Sequence, residues 1–244
     1  MTHYKRRHGL ARVLSKLGVC SRTQAEQMIR AGRVSVDDRV ERDPERPSDA
    51  SVERVAVDDI EVRQVTRVYL ALNKPRGIIV SAADERGRDT VYDLIPNAPA
   101  PWLAPVGRLD RASEGLLLLT NDSEWAAKLT APSSGVLKTY HVQVEGQLSD
   151  ASLERMRSGI DDRGERLSAH AVTVLRSGSK NCWLEVQLDA GRNRHIRRMV
   201  KALDHEVLRL IRIAIGPIEL GTLAKGRWRA LTEAELTAIA ALVR

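Results

Sequence analysis

Apolar positions fall at helical spacing near the N-terminus and mostly at strand spacing afterwards. Leu10, Val13, Leu14 and Leu17 recur at i, i+3, i+4 and i+7, which predicts an amphipathic helix ended by Gly18. Ser21, with Gln24 three residues on, reads as a capping box opening a second helix. Ala25, Met28 and Ile29 form its apolar face and Gly32 its terminator. Short strands follow as two hairpin-like pairs: 34–36 with Val40 around Asp37-Asp38, and 55–57 with 60–62 around Asp58-Asp59. Residues 43–51 read as a loop and 62–67 as a charged connector. Apolar runs at 68–72 and 78–80 flank Asn73-Lys74-Pro75-Arg76-Gly77, where Pro75 and Gly77 force a turn. Residues 81–105 are loop-rich, with Pro96, Pro99, Pro101 and Pro105 clustered. The unbroken run 116–119 predicts a strand buried on both faces, closed by the turn residues Asn121-Asp122.

Beyond it, 125–129 reads as a short helix. Residues 138–144 alternate, placing Tyr140 on one face with Val142 and Val144. A helix carrying Leu153 and Met156 follows Ser149 and ends at Gly159. Strands are expected at 171–175 and 183–188. Ile196, Met199, Val200 and Leu203 then fall at helical spacing, with Arg194, Arg197, Arg198 and Lys201 displaced to roughly the opposite side. A strand at 208–212, a turn at Gly216-Pro217 and a terminal helix N-capped by Thr232 complete the pattern. The predicted class is α+β: two helices with a small sheet, then a larger strand-rich domain. No internal repeat or low-complexity tract interrupts it.

The chain has 244 residues, 43% of them hydrophobic, with only 3% aromatic residues and no Phe. The core must therefore be aliphatic, and each Tyr or Trp carries more interest than usual. The net charge of +7 is concentrated. Lys5, Arg6, Arg7, Arg12, Lys16, Arg22, Arg30 and Arg33 stand against the single acid Glu26 in residues 1–33, so the remainder sums to zero. Residues 1–8 read as a basic, mobile arm. Such a cationic face suggests a polyanion partner. No apolar stretch suits a membrane span or a signal peptide, which favours nucleic acid and a cytoplasmic protein. Cys20 and Cys182 have no second cysteine at metal-ligand spacing and read as buried reduced thiols. His141 and His195 are isolated and read as polar surface or RNA-contact residues rather than metal ligands.

The central stretch runs Gly107-Arg108-Leu109-Asp110-Arg111-Ala112-Ser113-Glu114-Gly115 and straight into the buried apolar run. It sets Asp110 on a loop feeding a core strand, with cations on either side that favour its charged form. A carboxylate so held can serve as nucleophile or base. From spacing alone a surface-loop aspartate is the commoner outcome. The stretch, however, resembles the motif G-R-L-D-x-x-[ST]-x-G-L-L-[LV]-L-T-N-D of the RsuA/RluB/RluE/RluF-type ribosomal RNA pseudouridine synthases, with Ser113 at the hydroxyl position. In that family the aspartate is the residue catalysis cannot lose.

The resemblance extends along the chain. K-L-G-V-C-S-R-x-x-A-E-x-x-I-x-x-G-R-V-x-V over residues 16–36 is similar to the S4 RNA-binding domain, departing at Asp37-Asp38 where the family usually has Asn-Gly. That departure implies a less tight hairpin. N-K-P-x-G at residues 73–77 and G-R-N-R-x-[IV]-R-R-M at 191–199 are also similar to the synthases. The resemblance implies an S4 domain over residues 8–62, a linker at 63–67, and a mainly antiparallel mixed α/β synthase domain over 68–244. It makes Asp110 the catalytic residue, sets Tyr140 to stack on the target base, and pairs Arg197 with Asp110. Arg108 is a further substrate contact. An aliphatic residue among Leu208, Leu210 and Ile211 would pack on the base. Arg12, Lys16, Arg22, Arg30, Arg33, Lys74, Arg194 and Arg198 are the expected RNA contacts, with Arg76 beside Lys74. The arginine stripe at 194–201 carries no acid of its own to pair with.

The implied activity is isomerisation of one uridine, in large-subunit (23S) rather than small-subunit (16S) ribosomal RNA, by a monomer acting on folded RNA, with no cofactor or metal. The rival readings are a non-catalytic S4-containing RNA-binding or ribosome-assembly protein and a DNA-binding regulator. A pure binder has no need of Asp110, Tyr140 and Arg197 together, and the second rival lacks a dimerisation element.

Overall fold

The apolar stripe of the first helix closes against the second as its spacing requires. In the computed structural model, which describes residues 8–81 and 87–243, helices Leu10–Lys16 and Arg22–Arg30 cover a four-stranded antiparallel sheet. Its strand order is Arg39–Glu41, Val34–Val36, Val55–Val57, Ile60–Glu61. Leu10, Leu14, Ala25, Ile29, Val34, Val36 and Val55 form the shared core, with Cys20 among them. The capping box is made in full: Gln24 N–H donates to Ser21 Oγ at 3.1 Å and Ser21 N–H to Gln24 Oε1 at 2.9 Å. The basic segment 1–7 lies outside the described residues.

The hairpin is tighter than the resemblance implied. Asp37 and Asp38 take φ of 49° and 63°, and Asp58 and Asp59 repeat this at 48° and 63°. Two consecutive left-handed residues make the type I′ turn that matches strand twist, and aspartate tolerates that region better than most side chains. Asp37 also accepts the Arg54 N–H at 2.9 Å, and Arg54 pairs with Asp38 at 2.6 Å. The extra acids are thus used within the fold.

The chain divides into two compact units. One holds residues up to 69 together with 97–105 and 119–127; the other holds 70–96, 106–118 and 128 onward. In the first, the charged connector is not loose. Val65 N–H donates to the Leu17 carbonyl at 2.9 Å, and Arg67 reaches the Lys16 and Asn121 carbonyls at 2.6 and 3.1 Å. Asn121, fully buried, braces the connector in return through Thr66 and Val68, at 2.9 Å each.

The second unit is built on a mixed sheet. Its main strands run in the order Ala171–Ser177, Asn181–Leu188, Lys138–Glu145, Val207–Ile215, Glu114–Thr120, Tyr69–Lys74, Trp228–Ala230. Neighbours among the first four are antiparallel, as is the final pair. Val207–Ile215 and Glu114–Thr120 run parallel, with Arg212 opposite Gly115. Gly115 has φ +100°, and a Cβ there would collide with the Arg212 backbone, so only glycine permits this approach. The expected strand at 78–80 is not formed; Ile79 makes only an isolated bridge to Thr90. Tyr69–Lys74 already has a partner strand on each side, so it offers this run no free edge. Helix His195–Lys201 buries Ile196, Met199 and Val200, the face its spacing assigned.

Candidate active site

Asp110 lies at the entrance to Glu114–Thr120, a strand in which every residue is buried. That burial fixes one end of the loop, and local hydrogen bonds fix the rest. Ser113 N–H donates to the Asp110 carbonyl at 2.9 Å. Gly77 N–H donates to the Arg111 carbonyl at 2.8 Å, and Arg111 Nε returns a bond to Gly77 O at 3.2 Å. Lys74 Nζ donates to Ser113 O at 2.8 Å and Pro75 O at 2.9 Å. The turn at 73–77 therefore clamps the Asp110 loop.

Lys74 was expected to reach RNA phosphates. It is fully buried instead, because its ammonium is engaged by those two carbonyls beneath the loop. Burial pushes its pKa down to about 8, against the opposing pull of Glu114 and Asp110.

A cavity of about 620 Å³ opens beside Asp110, lined among others by Arg108, Tyr140, Arg197 and Arg212. Leu129, Leu188, Leu210 and Ile215 give it an aliphatic wall. Strand alternation turns Tyr140 inward with Val142 and Val144, and cross-strand register sets Arg212 opposite it. Of Leu208, Leu210 and Ile211, Leu210 is the one lining the cavity. Ser113 Oγ, Nε of Arg197 and Nη2 of Arg212 are buried there without a hydrogen-bond partner among the described residues. Buried polar atoms left in that state are costly, and here they face a space a polar ligand can fill. His195, read as a surface residue, is only 5% exposed. It begins the buried face of its helix, and burial lowers its pKa, favouring the neutral imidazole.

Arg197 does not form a direct ion pair with Asp110. Its guanidinium donates to Ala112 O and Val207 O, each at 3.1 Å, and so holds the loop two residues past the carboxylate. Burial lowers its pKa; the positive charge of Arg194 lowers it further, the negative charge of Asp110 opposes this, and Arg76 adds a smaller lowering. Asp110 is therefore within electrostatic reach.

Several cations read as unpaired have partners supplied from elsewhere in the chain. Arg198 binds Asp162 and Glu165, is largely covered, and is not a free RNA contact. Its acids belong to the hairpin of Ile160–Asp162 and Glu165–Leu167, invisible from the helix's own pattern. In the first unit Lys16 pairs with Glu124 at 2.6 Å, Arg22 with Glu45 at 2.9 Å and Arg33 with Asp58 at 2.5 Å. Arg30 approaches Glu26 at 3.8 Å. Each of these pairs has at least one solvated partner, so the interactions are weak and the cations can exchange a carboxylate for a phosphate. Arg12, Arg108 and Arg194 are exposed.

Sequence reasoning passed over Glu114. It is 4% exposed, with Arg209 at 2.8 and 3.0 Å and Lys225 at 2.7 Å. The Arg209 hydrogen bonds lead in holding its pKa down to about 2. The available signal was a lone acid opening an otherwise apolar strand. Cys20 and Cys182 are buried and free. Among the described residues, no cluster of three or more His, Cys, Asp or Glu could hold a metal ion, and no helix is long and apolar enough to cross a membrane.

Comparison with known proteins gives the family of the chain. Residues 68–202 match the model of the RNA pseudouridylate synthase family. The chain belongs to that family. The synthase also carries an S4 domain, matched over residues 9–50, and is an RNA-binding isomerase. An RNA pseudouridine synthase of Aquifex aeolicus is 39% identical over 224 residues, spanning 91% of this chain and 90% of its own. The ribosomal large subunit pseudouridine synthase B of Bacillus subtilis is 36% identical over 235 residues, spanning 96% of each chain. A crystal structure of a pseudouridylate synthase superposes with a TM-score of 0.68 at 26% identity, covering 95% of this synthase and 99% of that chain.

Proposed function

We propose that this synthase converts one uridine of large-subunit ribosomal RNA to pseudouridine, with Asp110 as the catalytic residue. The observation that carries the assignment is the convergence of Asp110, Tyr140 and Leu210 on one cavity whose volume suits a single nucleotide. The names of relatives such as the Bacillus subtilis protein favour the large subunit as the source of the RNA. An S4 module at 8–62, joined through 63–67, grips folded RNA by its backbone. The catalytic domain at 68–244 receives the uridine after it leaves its stack, a step that costs roughly a few kcal/mol.

In the cavity Tyr140 stacks on one face of the uracil and Leu210 packs near it. Asp110 begins cleavage of the bond between N1 and the sugar, either by attacking the sugar carbon or by removing a sugar proton. The uracil turns in place and rejoins through C5; the C5 proton is lost and N1 takes one up. No redox change or external energy is needed. Arg197 positions Asp110 through the Ala112 carbonyl. Arg108 meets the substrate at the rim. The proposal includes a monomeric, cytoplasmic enzyme acting on an assembling subunit.

The test is pseudouridine mapping in ribosomal RNA from cells with the wild-type gene, without it, and with Asp110→Asn. One large-subunit site should vanish in the last two, while purified Asp110→Asn folds and binds RNA as wild type does. Product from that variant would remove Asp110 from the chemistry.

A further inference from the structure

A second cleft, of about 480 Å³, opens on Asp110 and is lined by Arg76, Gly77, Arg111, Ala112 and Arg194. The two cavities share Asp110 and Arg194. We propose that this second cleft is a phosphate subsite, in which Arg76, Arg111 and Arg194 hold a phosphodiester flanking the uridine whose base fills the first cavity.

Three observations carry it. The first is charge without compensation. Lys16, Arg22, Arg33 and Arg198 are matched by carboxylates, whereas Arg76, Arg111 and Arg194 form no ion pair among the described residues. With Arg197 they set four guanidiniums around the single carboxylate of Asp110, and mutual repulsion is felt at Arg197. An entering phosphodiester, with its single negative charge, relieves that repulsion. The second is chemistry. The first cavity joins its cations to an aliphatic wall and an inward tyrosine, suited to a base; the second cleft has no such wall and presents arginines, whose planar fork matches phosphate oxygens. The third is connectivity. A nucleotide joins base to phosphate through the ribose, and the ribose is the part on which Asp110 must act. A base site and an anion site meeting at this carboxylate place the sugar between them.

The cleft is also built rather than incidental. Arg111 is fixed through the reciprocal Gly77 hydrogen bonds. Arg194 adopts the left-handed backbone, φ 50°, at the start of its helix, a conformation uncommon for this side chain. A phosphate held here fixes the ribose against Asp110 and contributes to positioning, so its loss is read in KM and in salt dependence.

This inference rests on the pseudouridine synthase reading, and the experiment separates the two. Binding of a 23S rRNA transcript is measured across a range of KCl concentrations, together with initial rates of pseudouridine formation. Arg76→Gln and Arg111→Gln each lower the slope of log affinity against log salt by roughly 0.7–0.9, one phosphate contact, and raise KM roughly ten-fold or more. Arg76→Lys restores the slope but only part of KM, since the charge returns without the fork. An RNA fragment carrying the mapped uridine is then made with a neutral methylphosphonate on its 5′ or 3′ side. One of the two linkages weakens wild type as the arginine variants do, and adds nothing further in those variants. Slopes unchanged from wild type, or losses that multiply at both linkages, overturn the subsite. Wild-type enzyme that leaves every 23S uridine unmodified would instead overturn the substrate assignment.

Discussion

Glu114 shows how much one side chain can carry from outside the lining of either cavity. It stands four residues past Asp110, fully enclosed, and joins the Val207–Ile215 strand to the loop holding Lys225. Its folded pKa of about 2 lies below the ordinary value of 4.5, so between those values the folded state binds fewer protons than the unfolded one. The pair contributes fully above about pH 4.5 and is lost as pH falls toward 2. Glu114→Gln should cost about 1–3 kcal/mol at neutral pH, less than a fully buried pair, because Arg209 and Lys225 can return to water. Chemical denaturation across pH 2–7 should show the variant losing less stability than wild type on acidification, the Arg229–Glu235 pair supplying the rest. Equal acid sensitivity in the two proteins would contradict this. That Asp110 and Tyr140 line one cavity was legible because local motifs mark both. Glu114 was passed over, and Lys74 and His195 were misread, because their burial depends on partners far along the chain, which no local pattern records.

Elements were legible where their rule is local. The capping box at Ser21, the alternation around Tyr140 and the apolar face of residues 196–200 all follow from side chains a few positions apart. The run at 78–80 failed because strand formation needs a free edge as well as apolar residues. The parallel contact between Glu114–Thr120 and Val207–Ile215 was likewise invisible, although Gly115 marked it. Gly115→Ala should destabilise by about 3 kcal/mol or more, because the new methyl meets the Arg212 backbone and separates the two strands. That corresponds to a melting temperature lower by roughly 10 °C for a chain of this size. Gly77→Ala is the control: its φ is also positive, at +97°, but nothing lies within 4 Å of a Cβ there, so only the left-handed strain of about 1–2 kcal/mol remains. If both substitutions cost the same, the crowding argument fails.

Over the whole molecule, the excess of positive charge was visible in composition but its distribution was not. The sequence concentrates basic residues in positions 1–33, and the fold then brings Glu45, Asp58 and Glu124 to several of them. Cations already holding a carboxylate must give it up to bind RNA, so each gains less from a phosphate than a solvated one does. Arg12→Gln should therefore lower the salt slope of RNA binding by roughly 0.7–0.9, and Arg33→Gln by clearly less, since Arg33 is engaged bidentately with Asp58 at 2.9 and 2.5 Å. Filter binding on the same transcript distinguishes them, and a larger effect at Arg33 would reverse the ranking.

The bonds from Arg209 to Glu114 and from Arg212 to the Leu116 carbonyl span 95 and 96 residues. During translation the loop around Asp110 emerges well before the strand that holds it in place. Loop closure over such distances is slow compared with local helix formation, and chains tend to fold from the N-terminus as they are made. A polypeptide still on the ribosome and short of residue 215 has Asp110 but lacks the strand whose Arg209 and Arg212 tie down the residues that follow it. The cavity beside Asp110 is therefore closed only after residues 207–215 have joined the sheet.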